Sequence, residues 1–480
     1  MKDKTTSIYK NAILNKATDV LQIFIKYIIV IISMLFLGFI FLQSFFGSTF
    51  LDFCESSFFI EKPFWSTVLI VLIPILIAII VKIILQKYSI SIVTPNYIFL
   101  GIVTVVYTIL MIMFVYKTGI PAMDDQELIL NAANDLLNNV PDMWDKGAYC
   151  YRFPNQNGFV LFVALGLKMF GADNQMVFQY LNIPMLILSS FFLSKTIYLL
   201  FNDKKLARYS YIFLLGFFQL NCYVTFVYGT LYGLAASVAG IFLLIKYFKK
   251  RNIVNGLVGI SLLSIGYGFK SNYLIMIVAA CLLLLFDAIV KKSLKSVISL
   301  VWGIVFYVVV VTSISSTIYH LTGKKVDEGT PNTAWVAMGL QESYKAPGWW
   351  NGYNAKVFAD NEYDIPKTKE AISQNISERV GELKKDKEYT LSFFSKKTAS
   401  QWSEGTFECF YITNLDRGRL SNPTWTDSVK NLMVDGHSAN RAVTTICNYF
   451  IVFLWLGIIL FLIFDFRKLD AYKLILQLHL

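Results

Sequence analysis

Charge is scarce in this sequence. Only 16% of its 480 residues are Asp, Glu, Lys or Arg, against 56% hydrophobic and 16% aromatic. A soluble chain could not hide that much apolar surface, so a soluble enzyme or binding module is excluded. Histidine is nearly absent: His320, His437 and His479 are the whole complement and form no ligand cluster. The six cysteines (54, 150, 222, 281, 409 and 447) show no C-x-x-C spacing. A zinc enzyme therefore has no ligands to draw on. Cys150 and Cys409 both fall on the predicted outer side and could pair, although no regular framework supports it; Cys281 and Cys447 fall in apolar runs. No internal repeat and no low-complexity tract is present. A cleavable leader is not expected, because the first apolar run, 21–46, is too long for a signal sequence and reads as a retained anchor.

What the chain has is a series of long apolar runs. Spans are expected near 21–46, 65–86, 97–116, 174–201, 207–226, 229–248, 253–269, 272–290, 296–317 and 443–464. The run at 157–170, "NGFVLFVALGLKMF", is too short to cross and reads as a re-entrant or interfacial helix. Basic residues support this count. With the N terminus inside, the inner loops hold Lys2, Lys4, Lys10 and Lys16, then Lys82 and Lys87, then Lys204, Lys205 and Arg208. Lys246, Lys249, Lys250 and Arg251 come next, then Lys291, Lys292 and Lys295, and last Arg467 and Lys468. Counting 157–170 as a full span would move every later cluster outside.

The net charge of +11 has the same origin. The long polar segment 318–442 holds 16 basic and 16 acidic residues, so the excess belongs to short loops beside apolar runs. That pattern is topological and calls for a lipid bilayer, with no reason to invoke nucleic acid. The reading is an all-α polytopic membrane protein of about ten transmembrane helices. Its N-terminal transmembrane domain covers 1–317, with an outer loop at 117–156. A mainly helical extracellular domain follows at 318–442, then a C-terminal transmembrane segment at 443–480. The final "DAYKLILQLHL" begins an apolar helix and stops after about two turns, so it either lies in the interface or is cut short.

The outer loop opens on "PAMDDQELIL". From Asp125 to Val140 the apolar residues Ile129, Ala132, Ala133, Leu136, Leu137 and Val140 recur with helical spacing, giving an amphipathic helix on the membrane surface or packed on the spans. Asp124 falls on its polar face, three residues before Glu127, as in a capping box. Asp125 and Gln126 fall at the flanks of the apolar stripe. A carboxylate aimed at the membrane domain is costly unless it meets a wet cavity, which makes Asp125 the candidate for chemistry.

The order of these features resembles the GT-C superfamily of integral membrane glycosyltransferases, in its bacterial polyprenyl-phosphate-sugar branch. Asp124-Asp125-Gln126 starts the loop helix, "YRFPNQNG" (151–158) follows, and a short apolar helix ends in "MFG". Residues 97–300 carry the resemblance. Two extra spans before the loop depart from the family pattern, as does the lack of further C-terminal spans. The resemblance implies transfer of a sugar from a polyprenyl-phosphate donor to a hydroxyl of an envelope glycan, glycolipid or protein on the outer face of the plasma membrane. Asp125 would act as general base, and cations would receive the leaving phosphate. Some members of the superfamily need a divalent cation. On that ground Mg or Mn could bridge Asp124, Asp125 and the donor phosphate.

Lys270, in "GYGFKSNYLI", and Arg152 are the phosphate candidates; a snorkelling lysine and a solvated arginine are the plainer accounts. Tyr151 and Asn155 are placed at the site beside Gln126. Tyr223 and Tyr228, in "NCYVTFVYGTLYG", either stack on sugar or belong to an interfacial aromatic belt. Trp350, Trp402 and Glu404 are expected to cover the cavity from the acceptor side or to form a small core. Two other functions fit a chain of this kind: a flippase or transporter of a lipid-linked saccharide, and a cell-wall polysaccharide polymerase. The first should show repeat symmetry and charges deep in its spans. The second should show clustered outer arginines, where this loop has only Arg379, Arg417, Arg419 and Arg441.

Overall fold

The computed structural model describes residues 2–52, 55–88, 93–171, 174–413 and 425–465. Apolar runs become helices because a helix satisfies its own backbone polar groups where no water is available. The helices α1 (Lys2–Phe46), α2 (Phe64–Lys87) and α3 (Tyr97–Thr118) precede the amphipathic α4 (Asp125–Asn138) and the short α5 (Asn157–Phe170). Then come α6 (Met176–Phe201), α7 (Lys204–Leu215), α8 (Thr230–Lys250), α9 (Ile253–Phe269), α10 (Leu274–Lys291) and α11 (Leu294–Thr322). In the polar segment the longest helices are α12 (Ile365–Lys385) and α13 (Lys387–Trp402), and α14 (Ser438–Asp465) follows it. The chain is a multi-pass, predominantly helical membrane protein.

Among the described residues, 8 helices are long and apolar enough to cross a membrane, lying in α1, α2, α3, α6, α8, α10, α11 and α14. Two of the ten expected spans differ. The run 207–226 is not one helix: α7 has 12 residues, about 18 Å of rise, and ends at Gly216. A short helix, Phe218–Cys222, and a 3-10 turn, Tyr223–Thr225, complete the run. Asn221 Nδ2 donates to the Leu215 carbonyl (2.9 Å), giving the broken end a partner. The other, α9, is an apolar helix of 17 residues. At 14 residues, α5 is as short as the sequence suggested. The tail 466–480 lies outside the described residues.

A hairpin was not foreseen in the all-α reading. Strands β1 (Gly47–Leu51) and β2 (Ser57–Glu61) pair antiparallel, with Gly47 opposite Glu61 and Leu51 opposite Ser57. Lys62 anchors its base, donating from Nζ to the carbonyls of Ser44 (2.7 Å) and Asn448 (2.8 Å). Burial lowers this ammonium to about 8, since few waters solvate its charge. Around that anchor α1, α2 and α14 share one apolar cluster built on Ile40, Val71, Ile451, Val452 and Trp455.

The other helices pack as a second group, in which α8 runs against α6 and α9. Small residues allow a close crossing: a side chain on Gly240 would meet the Gly259 carbonyl at 2.7 Å. Where α8 turns into α9, Arg251 holds Asp287 of α10 with two bonds, 2.5 and 2.8 Å. Ser296 also bonds that carboxylate, and Tyr247 bonds Ser296 (2.6 Å). Lys291 and Lys295 gather at the same end, while Lys270 terminates the far end of α9. Asp287 is fully buried, so removing it strands the guanidinium. Asp287→Ala should cost on the order of 3 kcal/mol, read as a lowered unfolding midpoint in detergent, and Arg251→Met combined with Asp287→Leu should recover most of the loss.

Candidate functional site

At the Lys270 end of the bundle lies a cavity of about 1510 Å³, lined by Asp124, Asp125, Arg152, Tyr228 and Lys270 among others. One floor element is α4. It buries Ile129, Ala132 and Ala133 in the same apolar cluster as Phe159 and Val163 of α5, so it packs on α5 with its first turn at the cavity. Val140, counted in the apolar stripe, is exposed beyond the helix end.

Both acidic residues reach the cavity, by different routes. Asp124 occupies the N-cap position of α4, but its side chain makes no capping bond. Its backbone explains why: φ 53° and ψ −129° lie outside the extended region from which a cap reaches back to the first turn. The expected capping box therefore does not form. A non-glycine residue held there costs about 1–3 kcal/mol, a strain that accumulates at functional sites. Asp125 is solvent-exposed and accepts a 2.5 Å bond from Tyr228 Oη. Tyr228 Oη accepts in turn from Gln156 Nε2 (2.7 Å). Burial, then the Asp125 charge, push the Tyr228 phenol up and keep it a donor.

Lys270 Nζ stands 3.3 Å from the centroid of the Tyr228 ring. An ammonium over an aromatic face is attracted by the ring quadrupole. Burial lowers its pKa to about 8, partly offset by the attraction of Asp125. Two chain segments must come very close to create this stack. Gly229 has φ +77°, and a Cβ there would meet the Phe269 carbonyl at 2.2 Å. Glycine alone allows residue 228 to lie against residue 270.

Arg152 lines the same cavity, with its Nε buried and no hydrogen-bond partner among the described residues. Asn155 also lines it and donates to Ser271 Oγ (3.2 Å). Gln126 does a different job from the one expected: it is buried, and its Oε1 accepts from the Val227 amide (2.7 Å). Asn182 Nδ2 bonds the carbonyls of Val224 (2.9 Å) and Phe226 (3.2 Å). Gln179 Nε2 bonds the Ile120 carbonyl (2.7 Å). These buried amides position the loops that carry Asp125 and Tyr228.

Of the other predicted residues, all but Trp350 fall outside the cavity. Tyr151 stacks on Phe358 (6.1 Å) and meets Tyr363 edge-on (5.9 Å), so it fastens the polar segment. Trp402 packs between Trp455 (5.8 Å) and Phe36 (5.5 Å), as a strut against α14 and α1. Tyr223 and Glu404 line a separate, smaller cavity. Trp350 borders both. Cys409 lies against Cys222, in a different cluster from Cys150, so Cys150 and Cys409 do not pair and both are free thiols.

The polar segment adds residues that no motif announced. Lys345 pairs with Glu55 at the hairpin turn, and both line the main cavity. Glu408 lines both cavities. The only signal for these was position: Lys345 sits in the aromatic run "SYKAPGWW", and Glu408 follows Glu404 by four residues. Among the described residues no group of three or more His, Cys, Asp and Glu side chains converges as a metal site.

The Gln126–Val227 bond gives a direct check on this geometry. Gln126→Leu leaves a buried N–H unpaired, a penalty of about 1–3 kcal/mol. Faster hydrogen exchange at the Val227 amide is the expected outcome. Compared with known protein families, curated proteins and solved structures, the chain matches none.

Proposed function

We propose that this protein is a membrane glycosyltransferase that moves a sugar from a polyprenyl-phosphate donor to an acceptor hydroxyl, with Asp125 as general base. The observation that carries the reading is the cluster Asp125–Tyr228–Lys270. It sets an exposed carboxylate, a phenol and a half-buried ammonium at one end of a cavity large enough for two substrates. The cavity wall supports a lipid-linked donor. Leu274, Ile275 and Val278 of α10 line it while Ile275 and Val278 are 71% and 50% exposed, so the cavity borders the surface offered to lipid. The basic residues gathered at the Arg251 end support a Lys270 end that faces outward, by the bias of inner loops toward lysine and arginine.

In the reaction the acceptor oxygen attacks the anomeric carbon as the bond from that carbon to the phosphate oxygen breaks. The hydroxyl proton passes to an Asp125 carboxylate oxygen. Lys270 and the unpartnered Arg152 Nε stabilise the charge arriving on the departing polyprenyl phosphate. Tyr228 orients Asp125 and, through its ring, Lys270.

Two measurements test this reading. Incorporation of labelled sugar from a polyprenyl-phosphate donor should fall roughly 10²- to 10⁴-fold in Asp125→Asn; equal incorporation by wild type and variant overturns the assignment. Lys270 is charged below about 8 and neutral above it. The KM for donor should therefore rise as pH passes from 7 to 9. Lys270→Arg, which keeps its charge throughout, should flatten that dependence.

A further inference from the structure

The smaller cavity, about 440 Å³, sits under the polar segment and is not needed by the reacting groups. It touches the main cavity at two residues, Trp350 and Glu408. Its walls are aromatic: Trp349, Trp350 and Tyr223. Most of its polar groups are already committed. Trp349 Nε1 donates to Ser400 Oγ (2.8 Å), and Tyr223 Oη donates to the Phe407 carbonyl (2.9 Å). Glu404 accepts from the Thr406 amide and hydroxyl and from the Glu408 amide.

Glu408 is the exception. Its side chain has no hydrogen-bond or ion-pair partner among the described residues, although it is mostly enclosed. Burial and the neighbouring Glu404 raise this carboxyl to about 7, with Lys345 pulling the other way. Its backbone sits at φ 59°, strained for a glutamate. An uncommitted carboxyl between two cavities, beside the half-exposed indole of Trp350, is suited to hydroxyl groups carried on a stacked apolar face. That is the surface of a sugar ring, whose C–H face packs on indole while its hydroxyls bond to carboxylate oxygens.

The charge of the two cavities differs in kind. The main cavity has Lys270, Arg152 and Lys345 in its lining among its carboxylates, whereas the smaller one has two carboxyls and neither lysine nor arginine. A phosphate or uronate would meet Glu404 and Glu408, while the lysine that acts on Glu408, Lys345, lines the main cavity instead.

We propose that the smaller cavity is an acceptor subsite that binds an uncharged saccharide, stacked on Trp350 and bonded to Glu408, and passes its end into the main cavity. This rests on the transferase reading and narrows it: the acceptor is a neutral glycan or glycolipid head, and a polyol-phosphate chain is disfavoured.

The test is binding, with no donor present. The full-length protein in detergent is applied to an array of neutral, amino-sugar and phosphate-bearing oligosaccharides, and the best binder is titrated. The expected result is capture of neutral oligosaccharides, weakened roughly 5- to 10-fold by Trp350→Ala and comparably by Glu408→Gln. Trp350 is half-exposed, so its truncation leaves the fold intact. Binding of phosphate-bearing chains as tight as that of neutral ones overturns the proposal. So does failure to capture any neutral glycan, or unchanged affinity in both variants. A protein that binds neutral glycans but transfers no sugar overturns the transferase reading alone. One that transfers sugar but binds no neutral glycan overturns the subsite alone.

Discussion

The bond from the Val227 amide to Gln126 joins the two halves of the site. On one side is the first turn of α4, with Asp125; on the other is the loop that ends in Tyr228. Residues 226–229 lie outside any helix or strand, so the Tyr228 side relies on this bond. In a bundle with little water, an amide side chain that satisfies a backbone N–H is worth more than its net contribution in solution, because breaking it leaves a buried polar group unpaired. Asn182 and Gln179 repeat the device on neighbouring loops. The geometry of the site therefore depends on neutral amides inside the apolar layer, and the charges they position are left to face the cavity.

Glycine makes the complementary contribution. At Gly229 and at Gly158 a side chain would run into the carbonyls of Phe269 and Gly268, at 2.2 and 2.1 Å. The turn after α9 can thus sit directly against both the Tyr228 loop and the start of α5. Three segments far apart in sequence share one end of the bundle, which brings Arg152, Tyr228 and Lys270 to a single cavity.

Much of this was legible in the sequence where a rule depends on spacing alone. Span lengths, the short 157–170 helix and the amphipathic face of α4 follow from helical periodicity, and the angular reading separated Asp125 from the polar face. The misses arose where conformation or distant contact decides. The cap on α4 failed because Asp124 adopts a positive φ, which an aspartate does not announce. The stack of Lys270 on Tyr228 joins positions 42 apart in number through a glycine that looked like any other. The run 207–226 has the composition of a span and is broken at Gly216. Trp402 and Tyr151 have the side chains of a sugar site, but packing used them as struts. Glu408 carries no sequence signal beyond its spacing from Glu404, since its surroundings come from segments distant in the chain.

The cluster formed by α1, α2 and α14 bears on how the protein is made. Leu37, Ile40 and Val71 emerge early from the ribosome, and their partners Ile451, Val452 and Trp455 come about four hundred residues later. Lys62 likewise waits for the Asn448 carbonyl. During synthesis the first two helices must therefore stay in the bilayer as an open pair, shielded by lipid or by an insertion partner. Assembly of the site ends with the arrival of α14, which draws the hairpin and its Glu55 into place over a cavity whose other walls already exist.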